Sequence, residues 1–168
     1  RQARTIPGHR WAFKASYPAM TRANFMPLYA FAVKQKGRAE AFQVIPPDLA
    51  TAQGAVSGTP LIDGASQTGN TLNIHVATIN IPGWVKAGDV FTFAGATKVY
   101  MVVADANSDG SGNVALTIEP ALIESPGNGG AVSFTNVEFT MMFSNDSQIY
   151  NASPGINYGF SVDLIEAL

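Results

Sequence analysis

Apolar and polar positions alternate along much of the chain, which is the period of half-buried strands. In Arg10–Tyr17, Trp11, Phe13, Ala15 and Tyr17 share one side, and Pro18 is expected to end that strand. The period then changes. Met20, Phe25, Leu28, Tyr29, Ala32 and Val33 approach an i, i+3, i+4, i+7 stripe, which predicts a helix with Thr21 available to cap it. Pro27 fits best if the helix starts near Asn24, where it falls in the tolerant first turn. Lys34 and Lys36 suit its C-terminal end, and Gly37 its stop. Glu40–Ile45 reads as a second strand, broken by Pro46-Pro47.

From Asp48 to Gly69, glycines recur among Ser, Thr and Gln, predicting a connecting segment with one short strand. Strand patterns follow at Thr71–Ile81, Asp89–Ala94, Lys98–Ala104 and Val114–Ile118, with a long turn at Asn107–Gly112. Ser125–Gly130 reads as a loop. Val132–Phe143 alternates in its second half, and a short strand is expected between Asn145-Asp146 and Ser153-Pro154-Gly155. Tyr158–Ile165 closes the chain with Tyr158, Phe160, Val162 and Leu164 on one face, while Arg1–Gly8 opens it as an extended polar stretch. The sum is a mainly β chain of eight to ten strands with one packed helix and a β insertion.

Charge changes this picture. The chain of 168 residues carries a net −2. Residues 1–47 alone hold eight Arg and Lys against Glu40, a net +7, and residues 48–168 hold a net −9. Solvated opposite faces explain such a split, and so does basic-to-acidic contact between copies. The low overall charge argues against a general nucleic-acid binder. No apolar run approaches the ~20 residues of a membrane span, so no membrane insertion is expected. Without cysteine there is no disulfide, thiolate metal site or thiol nucleophile.

Candidate chemistry is sparse. Asp105, Asn107 and Asp109, with Gly110, fit the first half of a calcium loop, but the twelfth position is Leu116 and the flanks read as strands. A plain hairpin turn selects the same residues and is the preferred reading. Neither His9 nor His75 accompanies a nucleophile elbow. Glu119 and Glu124 have glycosidase chemistry in principle, with nothing to place them in a cleft. Trp84, after Pro82-Gly83, is a candidate exposed sugar-stacking residue. No catalytic residue, cofactor or resident metal is expected, and no enzyme activity.

The order of segments adds to this. Arg10-Trp11 and Phe13 lead to Pro18–Ala23, then Leu28-Tyr29-Ala30-Phe31 and Lys36-Gly37-Arg38, with Pro46-Pro47 after the next strand. Then come Gly58–Ala65, Gln67–Gly69, Lys86–Asp89, Phe93–Gly95, Lys98–Val102, Ala115–Leu122 and Tyr158–Leu168. This succession resembles the distal tail or tail-tip (baseplate) ring proteins of tailed bacteriophages, in the branch with an inserted small β-domain.

The resemblance implies a structural virion protein. Residues 1–47 and 132–168 would form a β-sandwich ring domain with a flanking helix, and residues 48–131 a peripheral, β-barrel-like insertion. The partners implied are further copies of the chain in a six-fold ring, the tail tube protein, the tail hub and the fibre or receptor-binding proteins. The location implied is the distal end of the tail. Arg22, Lys34, Lys36 and Arg38 are the candidate ring interface. Family members also place a strand before Arg10–Tyr17, so an N-terminal segment is expected to be missing ahead of Arg1. A carbohydrate-binding module, another tail component (tube or tail-completion protein) and a glycan hydrolase are the alternative readings.

Overall fold

The computed structural model describes residues 9–76, 78–147, 149–153 and 157–167. The expectations for Arg1–Gly8, and for Pro154-Gly155 as a bracket, lie outside them. Among the described residues are eleven strands and one α-helix, so the chain is mainly β. It divides into two compact units: Ile45–Phe139 with His9, and Arg10–Val44 with Thr140–Leu168.

The first unit is a barrel. Its strands are β3 (Leu61–Ile62), β4 (Gly69–His75), β5 (Val90–Phe93), β6 (Tyr100–Val102), β7 (Asn113–Leu122) and β8 (Val132–Ser133), in the order β3-β4-β7-β6-β5-β8. The two outer strands meet. Leu61 bridges Ala131, the Ile62 N–H donates to Gly130 O and the Val132 N–H donates to Pro60 O. Closure removes the free strand edges.

Period-2 alternation explains the filling. Leu72 and Ile74 on β4 face Leu116 and Val114 on β7, and all four are buried with Phe91, Tyr100 and Val102. β7 runs on through Pro120, which falls where its register to β4 slips. A proline without a ladder N–H is tolerated at such a slip.

Two predicted strands come out shorter or divided. β4 stops at His75, and Ile79 is exposed. Asn80 takes a left-handed φ of 54°, and its N–H donates to Asp109 O, which carries the chain away from the ladder. Val132–Phe143 splits into β8 and β9 (Phe139–Phe143), because Asn136 is also left-handed and its N–H donates to Ala50 O. Since β8 pairs with β5, the barrel unit continues to Phe139 and does not stop at residue 131.

The second unit pairs β1 (Ala12–Thr21), β11 (Asn157–Glu166), β9 and β2 (Phe42–Val44) in that order, with β10 (Tyr150–Ser153) also on β11. β1 does not end at Pro18. Its register slips between Tyr17 and Met20, and the edge strand continues past the proline.

The helix α1 spans Arg22–Lys34 and starts earlier than Pro27 suggests. Pro27 lies inside it but on the exposed side, where water can reach the carbonyl left without a donor. Its inner face buries Phe25 and Ala32. Phe25 stacks on Tyr158 at 4.9 Å and 5°, beside Tyr150 at 5.1 Å. Val33, expected on this face, is 56% exposed.

Candidate functional site

The residues that leave α1 fix its basic end. Lys36 and Gly37 both take positive φ, and Gly37 is buried against Asp146. A Cβ on Gly37 would lie 2.6 Å from Asp146 Cα, so this turn has room only for glycine. The Arg38 N–H donates to Asp146 Oδ1 at 3.1 Å.

Arg22, Lys34, Lys36 and Arg38 are all exposed. They do not form one cluster. Arg22 opens the helix and Lys34 closes it, about 18 Å apart at 1.5 Å per residue. Lys36 pairs with Glu40 at 3.2 Å, in water on both sides, so that bond is weak. Arg22, Lys34 and Arg38 have no ion pair among the described residues. Arg22 also stands at the positive end of the helix dipole, with no acid in the first turn.

Between these cations, the outward face of α1 is apolar. Ala23, Met26, Pro27, Ala30 and Val33 are exposed, Phe31 is 42% exposed with its ring edge-on against Phe42 at 5.2 Å, and Asn24 is the one uncharged polar residue of the helix. A surface helix ordinarily turns polar residues outward. An i, i+3, i+4, i+7 stripe describes only the inner face of the helix and leaves this one out. The signal was present: Asn24 is the single polar residue between Arg22 and Lys34.

Trp84 is not an exposed sugar platform. It is fully buried in the barrel, its Nε1–H donates to Ser57 O at 3.1 Å, and its ring meets Phe134 edge-on at 5.3 Å. The cause is the turn before it. The Gly83 N–H donates to Asn107 Oδ1 at 2.6 Å, and Val85 bridges Ala106, so the chain re-enters the core at Trp84.

The Asp-rich turn does not gather its oxygens around one point. Asp105 accepts from Lys86 Nζ at 2.7 Å and the Ala87 N–H at 2.9 Å. Asn107 holds Gly83, and Asp109 Oδ1 accepts the Ser111 and Asn113 N–H groups, both at 2.8 Å. The Asp109 bonds are those of a hairpin turn, and those of Asp105 and Asn107 tie the turn to Lys86, Ala87 and Gly83, so each side chain has a structural use without calcium. No group of three or more His, Cys, Asp or Glu able to hold a metal occurs among the described residues.

These bonds also set acidity. The Lys86 ammonium, then the Ala87 N–H, hold the Asp105 carboxyl below its ordinary value of 3.8. The Asn113 and Ser111 N–H groups do the same for Asp109. Carboxyls lowered in the folded state stabilise it above the unfolded value and lose that contribution as pH falls through the folded one. The amide signals of Ser111 and Asn113 are therefore expected to titrate together, with a midpoint below 3.8. A midpoint at or above 3.8 would contradict these bonds.

The barrel also decides the family. Residues 49–137 match the family model described as "Distal tail protein pb9, B domain". That match takes in more than half of the chain and all six strands of the closed sheet.

The chain belongs to the phage distal tail protein family.

It is thus a structural protein of a phage tail, in a family that is generally non-enzymatic. A comparison with curated proteins gives no match. The distal tail family model covers β3 to β8 and stops before α1's unit is rejoined at Thr140. No helix among the described residues is long and apolar enough to cross a membrane.

Proposed function

We propose that this chain is the ring subunit at the distal end of the tail. Six copies close into a ring that joins the tail tube to the hub and to the fibre or receptor-binding proteins. The unit of Arg10–Val44 and Thr140–Leu168 builds the ring wall, and the barrel is peripheral. The chain acts by assembly and carries out no catalysis.

The observation that carries this reading is the distal tail match over residues 49–137. The charge split adds support: a net +7 before residue 48 and −9 from it onward suits subunits that meet basic to acidic. In this reading Arg22, Lys34, Lys36 and Arg38 lie at the ring contact. The carbohydrate-binding alternative loses its main residue, because Trp84 is in the core. The test is the position and copy number of the chain in an intact tail: a closed ring at the distal end is expected. Copies spread along the tube would overturn it.

A further inference from the structure

We propose that the seam closing the barrel is a modification site, where Asn128 and Asp63 convert spontaneously to isoaspartate when the seam opens. Asn128-Gly129 is the one Asn-Gly pair of the chain, and Asp63-Gly64 is one of its two Asp-Gly pairs. A glycine in second place has no Cβ to keep its nitrogen from the side-chain carbonyl carbon of the residue before it. The fold sets these two pairs against each other on exposed loops. The Gly64 N–H donates to Asn128 Oδ1 at 2.8 Å, and the Gly129 N–H donates to Ile62 O at 2.9 Å. Both attacking nitrogens are therefore held by the opposite loop, and each loop shields the other. The seam itself is held by short pairings, since β3 and β8 have two residues each against ten on β7. Short pairings at exposed loops open locally while the rest of a domain stays folded.

The chemistry needs only water. Gly129 N loses its proton and bonds to Asn128 Cγ, the Cγ–Nδ2 bond breaks, and ammonia leaves a cyclic imide. Water then adds to the main-chain carbonyl of residue 128 and breaks its bond to Gly129 N, which leaves isoaspartate. The main chain now runs through Cβ and Cγ and is one atom longer, so Gly129 no longer meets Ile62 in register. At Asp63 the Gly64 nitrogen displaces water in place of ammonia, and the ring opens in the same way. The first change promotes the second, because displacing Asn128 frees the Gly64 N–H. Built into a virion, the chain is not renewed, so modified copies accumulate.

The test holds the purified full chain at mildly alkaline pH and locates isoaspartate by peptide mapping with isoaspartyl methyltransferase labelling. Residue 128 is expected to convert slower in the folded chain than in the same chain unfolded in urea, by about tenfold or more, because the rate follows the open population. Equal rates overturn the shielding. Asn128→Ala removes the acceptor of the Gly64 N–H at an exposed position, where substitution leaves the fold intact. Isoaspartate at Asp63 is expected to rise about fivefold in that variant, the effect of losing one hydrogen bond. It should stay low in Asn128→Asp, which still accepts. Asp109-Gly110 lies outside the seam and should be unchanged in both variants. No rise at Asp63 in Asn128→Ala overturns the proposal. An equal rise at Asp109 also overturns it, since that reports general loosening.

Discussion

Trp84→Ala is expected to cost the barrel about 3–5 kcal/mol, the range for removing a large buried aromatic side chain. Trp84 is fully enclosed, and alanine would leave a cavity and remove one of the two hydrogen bonds to the Ser57 carbonyl, the other being donated by Thr78 Oγ1. Folded domains hold only about 5–15 kcal/mol in total, so the variant should lose a third or more of its stability. Urea denaturation followed by far-ultraviolet circular dichroism measures this directly. A surface tryptophan kept for sugar stacking would change stability by only about ±0.5 kcal/mol. A near-neutral result would return Trp84 to the surface and contradict the core described for it.

Asp89→Ala is expected to be comparably damaging, at about 3–5 kcal/mol, for a different reason. Asp89 is 3% exposed and accepts three backbone N–H groups: Gln53 at 2.6 Å, Gly54 at 3.1 Å and Lys86 at 2.8 Å. Those donors anchor the segment before β3 and the turn before β5. Alanine leaves all three without their acceptor. Asp89→Asn keeps the shape and one accepting oxygen, but its amide faces an N–H that also donates. It should therefore fall between alanine and the native chain. Equal melting temperatures for the native chain and Asp89→Ala would contradict the role given to this carboxylate.

These two residues mark where the sequence stops being readable. Alternation along Val114–Ile118 and Tyr158–Leu164 is strong, and both runs are strands with the expected inner faces. The Asn107–Gly112 turn was legible because Asp and Gly there bond to their own neighbours. What depended on distant partners was not legible. Pro82-Gly83 announces a turn, but only Asn107, 24 residues on, directs Trp84 inward. Asp89 reads as one more surface acid until Gln53 and Gly54 are brought to it. Lys98 likewise counts as a surface cation, yet it is 2% exposed and its ammonium donates to His9 O at 2.9 Å. Barrel closure rests on Pro60 and Gly130, which carry no periodic signal.

The helix is the instructive case. The spacing of its apolar residues predicts one inner stripe that includes Val33, yet Val33 is exposed. The residues are apolar on nearly every side, which places an amphipathic reading at odds with a surface position. In an isolated chain that is a conflict. In an assembly it is the expected composition of an element covered from both sides.

The central claim is assembly into a ring at the tail's distal end, and electron cryo-microscopy of intact tails tests it most directly. The predicted result is six copies of the chain in one closed ring, found at the distal end of the tube and nowhere along it. A single copy, an open arrangement, or density repeating along the tube would contradict the claim.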